Sequence, residues 1–502
     1  MESRTQARRA RRARARRMLA IAVAGAVTAV LALGYIVADI ADVVPGPLTL
    51  KPVQYRSVPS AMSSVPSSTL VGKADSARAV DAAAAKRLID DFAAADGVGD
   101  DVSVAISGAD GKPVAQLNAD TVREPASTLK TATMLAASET LDMGDTLATS
   151  AYLDRSEATS DDTATDDAAA ADGTDSAGVP TLTLTGEGDM LLGEGASDPN
   201  HVNGRAGLDT LAERTAKALA QRSITSVRLV YDDSLFGDER YPANIDENNG
   251  DYLYYTGVSS MAIDGGRQWA DGRPADPDVF SAYPPLSQHT AQDVASVFAQ
   301  RLAAHGITVD GEVSAGKMPS GISPLASVES ATLGEIMAFT LRHSDNTLAE
   351  EFGRLTAIAQ GADNSPEGAV KAVKAELERL GVDTTGLTMA DCSGLSPGSR
   401  VSVLTLLDVQ AHNLTASGGA AAAEGLSIPG LVGTAANRAV SPDTAGQIRV
   451  KTGSLGTVTS MVGNVSRTDG GVLAFAVIVN NPKDMAAARS AIDSFVDALA
   501  RL

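Results

Sequence analysis

The sequence predicts an α+β fold: an antiparallel sheet flanked by helices, a helical subdomain, and a large domain inserted in the middle of the chain. Three observations predict it. A helix and a hairpin open the ordered part, a hairpin and a helix close it, and the region between has strand and helix signals of its own. Hairpins at the two ends can share one sheet, whose apolar faces the helices then cover. At 502 residues, 44% hydrophobic and 21% charged, the chain is long enough for more than one domain and apolar enough for a large core.

Residues 1–17 hold eight arginines (Arg4, Arg8, Arg9, Arg11, Arg12, Arg14, Arg16 and Arg17) against Glu2. Met18 to Ala38 then carries no charge and is rich in Ala, Val, Leu and Ile. About 20 apolar residues in a helix cross a hydrocarbon core of roughly 30 Å, and a basic flank stays in the cytoplasm. The expectation is a cytoplasmic basic segment 1–17, a transmembrane anchor or signal segment 18–38, and a remainder that lies outside the cell membrane. The alternative is secretion after signal cleavage, although a signal peptide has an apolar region of only about 7–15 residues. Residues 39–75 are rich in Pro and Ser, with Pro45, Pro47, Pro52, Pro59 and Pro66, and read as an extended linker.

Ordered sequence starts near Ser76. Apolar spacing over Ala79–Ala93 predicts an amphipathic helix. The alternating runs Val102–Ile106 and Pro113–Leu117, split by Gly108-Ala109-Asp110-Gly111, predict a hairpin. Near the other end, Ile448–Val450, Val458–Val465 and Val472–Val479 read as strands, and Met485–Leu502 as a helix with Ala488, Ile492, Phe495, Val496 and Leu499 on one face. Residues 76–146 and 290–502 are therefore assigned to one domain and 147–289 to an inserted domain. The insert has strands at Thr181–Leu184 and Val227–Tyr231, a helix at Leu208–Ala220, and an acidic loop at 157–178 with no apolar side chain larger than alanine. Such a loop is solvated.

Composition excludes several functions. A net charge of −21 opposes nucleic-acid binding, which needs cationic side chains on phosphates. One cysteine excludes an internal disulfide framework and a thiolate metal site, and five histidines without HExxH argue against a catalytic metal. No cofactor is expected.

Hydrolysis through a serine is the first chemistry to consider. A serine hydroxyl needs a base within hydrogen-bond reach. The GxSxG match Gly394-Leu395-Ser396-Pro397-Gly398 fails as a nucleophile elbow, because Pro397 lacks the N–H that such an elbow contributes to the oxyanion hole. A lysine one helical turn from the serine is the other option, with both side chains on one face about 5–6 Å apart at Cβ. Ser314-Ala315-Gly316-Lys317 has this pattern in a turn-rich loop. Ser127-Thr128-Leu129-Lys130 has it after Pro125 and ahead of an apolar, helical continuation, where helix dipoles favour negative charge. Ser344-Asp345-Asn346 interrupts two helical runs, Leu333–Leu341 and Thr347–Thr356; it also reads as helix punctuation, with Thr347 and Glu350 as a capping box. Lys451-Thr452-Gly453 ends the strand Gln447–Val450. There a cation, a hydroxyl and a glycine suit a carboxylate and a close backbone approach.

In this order the three motifs are those of penicillin-binding proteins and β-lactamases. Over about residues 76–502 the sequence resembles the low-molecular-mass D-alanyl-D-alanine carboxypeptidase/endopeptidase family of penicillin-binding proteins. The separation of Ser344 from Ser127 is far larger than in a compact β-lactamase and matches a family with a large insert. The stretches Leu184–Asp189, Tyr231–Phe236, Asp391–Ser396 and Lys451–Leu455 agree as well. Three features depart from the family pattern: Gly186-Glu187-Gly188-Asp189-Met190 replaces Gly-Gly-Gly-Asp-Pro, Cys392 stands where glycine is usual, and the acidic loop is extra.

The resemblance implies a β-lactamase/transpeptidase-like fold and an acyl-enzyme mechanism on peptidoglycan stem peptides. Ser127 would be the nucleophile and Lys130 its base. Lys451 would help keep Lys130 neutral, and with Thr452 and Gly453 would receive the terminal carboxylate. Ser344 would relay a proton, and Asn346 would hold the substrate amide and orient Lys130. The backbone N–H groups of Ser127 and Ser454 would form the oxyanion hole. Asp345 has no role in this scheme, and β-lactam antibiotics would acylate Ser127. A β-lactamase of the same fold and a catalytically silent cell-wall-binding scaffold are the alternatives.

Overall fold

The computed structural model describes residues 78–154, 179–270, 272–415 and 419–502, with Leu33, Tyr35 and Ile36. The chain divides into two compact units, Met1–Lys73 and Ala74–Leu502. Among the described residues no helix is long and apolar enough to cross a membrane. All but three residues of the expected anchor 18–38, the linker 39–75 and the acidic loop 157–178 lie outside the described residues.

The larger unit begins with α1 (Ala82–Ala93), β1 (Val102–Gly108), β2 (Pro113–Leu117) and α2 (Lys130–Thr140). There follow β3 (Ala148–Asp154), β4 (Thr181–Gly186), β5 (Asp189–Leu192), α3 (Leu208–Ala220), β6 (Ser226–Asp232) and β7 (Met261–Ile263). Next come α4 (Thr290–Ala304), β8 (Thr308–Val309), β9 (Ser314–Ala315), β10 (Ala326–Glu329), α5 (Leu333–His343), α6 (Asn346–Ala359) and α7 (Pro366–Arg379). The chain closes with α8 (Val403–Thr415), α9 (Gly419–Glu424), β11 (Ile448–Leu455), β12 (Val458–Ser466), β13 (Val472–Asn480) and α10 (Met485–Leu499).

The main sheet has the order β11-β12-β13-β1-β2 and is antiparallel throughout. The N-terminal hairpin thus joins the C-terminal strands through β1 and β13, with Val102 opposite Val479. Strand β13 reads as one apolar run because both of its faces are buried. Leu473, Phe475, Val477 and Val479 meet α1 and α10, where the rings of Phe92 and Phe495 lie 5.1 Å apart. Ala474, Ala476 and Ile478 meet Leu129 just ahead of α2, Leu135 of α2 and Leu406 of α8. Each large side chain buried this way is worth roughly 1.5–3 kcal/mol, so the sheet's centre is a firm platform for its edge strand β11.

The second sheet is mixed, in the order β10-β3-β4-β6-β8 with β9 also on β6. Leu211 and Leu219 of α3 and Val294, Phe298 and Leu302 of α4 fill its core. Strands β8 to β10 and α4 belong to this sheet and core, so both run past residue 289, where the inserted domain was expected to end, as far as Glu329. The apolar spacing at 294, 298 and 302 is what docks α4 here. Ser314-Ala315 forms a short strand paired with Val230 and Tyr231, so the Ser-x-x-Lys pattern at 314–317 is not on a helix.

A helical layer of α2, α5 and α6 packs through Met134, Met337, Leu341, Leu348 and Phe352. The expected capping box at Thr347 and Glu350 is absent. Asp345 caps α6 by accepting from the Leu348 N–H at 3.0 Å. Thr347 and Glu350 are buried instead: the Thr347 hydroxyl meets the Thr256 backbone and Glu350 accepts from the Cys392 N–H at 2.9 Å. A capping box forms one helix earlier, between Thr332 and Glu335.

Candidate active site

Ser127 sits in a 3-10 turn, Ala126–Leu129, that leads directly into α2. Its hydroxyl caps neither helix; it accepts from Lys130 Nζ at 3.0 Å. The turn is clamped from two sides. Ala126 adopts a left-handed φ of 49°, and Ser460 on β12 donates to the Pro125 carbonyl at 2.7 Å. A Cβ on Gly394 would overlap the Ala126 carbonyl oxygen, and one on Gly453 would overlap Ser460 Oγ and crowd the Pro125 carbonyl. Gly453 therefore lets edge strand β11 close on the Ser127 turn, a tighter reason for glycine than access for a ligand.

Lys130 is completely buried. Besides Ser127, its Nζ donates to Asn346 Oδ1 at 2.7 Å and to the Ser393 carbonyl at 2.9 Å. Burial pulls its pKa down to about 8, against the carboxylates of Asp391 and Asp345, which pull it up. Lys451 is also fully buried and donates to Ser344 Oγ at 2.8 Å and to the Thr452 carbonyl at 2.7 Å. Burial, and then the charge of Lys130, holds Lys451 well below the usual lysine range. Two adjacent buried amines cannot both be charged cheaply, so at least one stays neutral and can take a proton.

Strand β11 runs through Lys451, Thr452 and Gly453 to Leu455, rather than ending before them. The reason is β12, which pairs with the whole segment, Thr452 opposite Met461 and Ser454 opposite Thr459. Thr452 Oγ1 donates to Thr434 Oγ1 at 2.7 Å, and Ser454 Oγ accepts from Arg489 at 3.1 Å. Ser344 ends α5 in the left-handed region with φ 57°. Asn346 starts α6; its Nδ2 donates to the Tyr254 carbonyl at 2.8 Å, so the middle of the chain also supports the lysine. All three motifs thus meet: Lys130 bonds Ser127 and Asn346, while Lys451 bonds Ser344.

Several supports of the site leave no plain mark in the sequence. Asp391, fully buried, accepts from the backbone N–H groups of Ser393, Gly394, Leu395 and Ser396. That wraps the loop so that the Ser393 carbonyl faces Lys130. The stretch Asp391–Ser396 matched the family, yet only its Asp, Ser and Gly spacing hinted at such a turn. Asp345 is a helix cap and also pairs with Arg267, which no local signal linked to the site. Cys392 is buried and unpaired; burial and the neighbouring Glu350 and Asp391 push its thiol well up, which keeps it an inert packed side chain. One group in the described residues could hold a metal ion, His201, Asp276 and Asp278, and it contains none of the motif residues.

The chain belongs to the D-Ala-D-Ala carboxypeptidase 3 (S13) family, whose sequence model matches residues 85–279 and 272–502. It is 39% identical over 191 residues to a protein named carboxypeptidase DacB from Mycolicibacterium smegmatis, covering 36% of this chain and 41% of that one. It is 30% identical over 236 residues to a D-alanyl-D-alanine carboxypeptidase of Actinomadura sp. (strain R39), covering 45% and 42%. These matches span about two fifths of each relative. In structure it is similar to penicillin binding protein 4 (dacB) of Haemophilus influenzae, with a TM-score of 0.61 at 18% identity, covering 84% of this chain and 100% of that one. A structure of that protein with a β-lactam gives a TM-score of 0.56 at 20% identity, covering 82% and 98%. The expected α+β, penicillin-binding fold is the fold observed.

Proposed function

We propose that the protein is a serine D-alanyl-D-alanine carboxypeptidase that cleaves peptidoglycan stem peptides through an acyl-enzyme on Ser127. The observation that carries this reading is the buried Lys130 amine, 3.0 Å from Ser127 Oγ and lowered to about 8. Lys130 takes the Ser127 proton as the hydroxyl attacks the penultimate carbonyl. Ser344, bonded to Lys451, passes a proton to the leaving D-alanine amine. Lys451, which the arriving terminal carboxylate of the substrate favours in its protonated form, attracts that carboxylate together with the Thr452 hydroxyl, and Gly453 keeps β11 close to the turn. The N–H groups of Ser127 and Ser454 serve the oxyanion, at roughly 3–4 kcal/mol per donor by comparison with other serine enzymes. Water then releases the acyl group. A β-lactam enters the same site and acylates Ser127.

The charge-free run 18–38 behind its arginines supports a single-pass anchor with the catalytic unit outside the cell, on the linker 39–75. Full-length protein would then pellet with membranes and be cut by protease added outside; appearance in the medium would indicate signal cleavage instead.

The test of the chemistry is fluorescent penicillin on the full-length protein beside Ser127→Ala. A persistent adduct lost in the variant, with release of D-alanine from a stem pentapeptide, is expected. An adduct that vanishes within seconds would make the protein a β-lactamase, and no adduct in either would leave a scaffold.

A further inference from the structure

Arg267 lies in the middle of the chain, just after β7, and none of the three motifs includes it. Its side chain is only 7% exposed, and that of its partner Asp345 is 11% exposed. The guanidinium bonds Asp345 Oδ2 through Nη2, and through Nη1 reaches the Asp264 carbonyl at 3.0 Å and its carboxylate at 3.3 Å. It lies over the ring of Phe280 at 4.5 Å and that of Phe339 at 5.9 Å. Gly265 makes room: a Cβ there would press on Nη1.

Asp345 divides its two oxygens. Oδ1 caps α6 at the Leu348 N–H, and Oδ2 takes Arg267. The residue that follows, Asn346, is the first of α6 and carries the 2.7 Å bond to Lys130. A buried ion pair is weak evidence for stability, because desolvation offsets its Coulomb gain. A second role accounts better for placing one beside the motif.

We propose that Arg267 is a positioning residue for Lys130: it pairs Asp345, which fixes the start of α6 and Asn346 on the lysine, and it screens the Asp345 carboxylate from the lysine's charge. The inference rests on the reading of Lys130 as the base. The charged groups that face Lys130 are Asp391 from its loop, Asp345 from the α5–α6 junction and Lys451 from β11. Of the two carboxylates, Asp391 is held by backbone N–H groups and Asp345 by a cation. Tyr283, His343 and the buried Glu351 of α6 also face the Arg267–Asp345 pair.

The sign follows. An unpaired Asp345 would stabilise the ammonium form of Lys130, and acylation needs the free amine. In full-length protein, the acid limb of the pH profile for acylation by fluorescent penicillin should therefore move up by about one pH unit in Arg267→Met. Asp345→Asn should move it the other way. Arg267→Lys should leave the limb in place even if the rate falls, and Arg267→Met with Asp345→Asn should bring it back to or below the wild-type position although its melting temperature stays low. A slower Arg267→Met with an unmoved limb would overturn the proposal in favour of a purely structural pair. If that variant does not fold, an unmoved limb in Asp345→Asn overturns it equally. A wild type that forms no adduct would overturn the underlying reading, and this inference with it.

Discussion

Lys451 on the edge strand of the sheet donates to Ser344 Oγ at the end of a helix, 2.8 Å away, so one bond ties the Lys-Thr-Gly motif to the Ser-Asp-Asn motif. Ser344 is held for it in a left-handed backbone, φ 57°, which costs a non-glycine residue about 1–2 kcal/mol.

Two substitutions at Ser344 should therefore separate. Ser344→Ala keeps the strain and loses the acceptor, so it should lose stability and slow acylation about 10²-fold or more. Ser344→Gly relieves the strain and should be more stable than the Ser344→Ala variant by about 1 kcal/mol while being equally slow. Calorimetry beside penicillin acylation rates would check the pair; a fast Ser344→Gly would remove the hydroxyl from the mechanism.

The acylation rate should climb with pH through a limb near 8. Burial lowers Lys130 to about that value, and below it the ammonium cannot accept the Ser127 proton. The same group makes a signed contribution to stability. Its folded pKa lies below the 10.5 of a free lysine, so between about pH 8 and 10.5 the unfolded chain binds more protons and stability rises with pH. Lys130→Met should abolish the limb and reduce the rise, the remainder coming from Lys451, which burial also holds below the usual lysine range. Stopped-flow acylation and urea unfolding across pH 6–10 measure both.

Gly453→Ala adds one methyl group where Ser460 Oγ and the Pro125 carbonyl already stand. Strand β11 must shift away from the nucleophile turn, and a misplacement of about 1 Å can cost 10²-fold in rate. The expected outcome is a folded protein, by circular dichroism, that acylates at least tenfold more slowly. Wild-type acylation in Gly453→Ala would show that the close approach is unimportant.

Much of the site was legible locally. Ser127 and Lys130 share a helix turn, Ser344 and Asn346 flank a break between helices, and Lys451 to Gly453 are consecutive, so short-range spacing alone displays the reactive groups. The hairpins were legible for a similar reason, since period-2 alternation and glycine turns are local signals. Long-range bonds leave no such mark. The Ser393 carbonyl on Lys130 joins residues separated by 263 positions, and nothing in either neighbourhood announces the other.

At α6 the sequence suggested a cap by Thr347 with Glu350, and the fold uses Asp345. Burial of Thr347 and Glu350 against Thr256 and Cys392 decided between them, and Arg267 took up the remaining oxygen of Asp345. Alone, then, the sequence picked out the three motifs that the fold brings together and showed that two end hairpins flank a middle region. Tertiary structure decided where the second sheet ends, how far β11 extends, and which carbonyls and carboxylates surround the lysine. The physical reason is that desolvation and pairing depend on what the fold brings near a group, and those neighbours are distant in sequence.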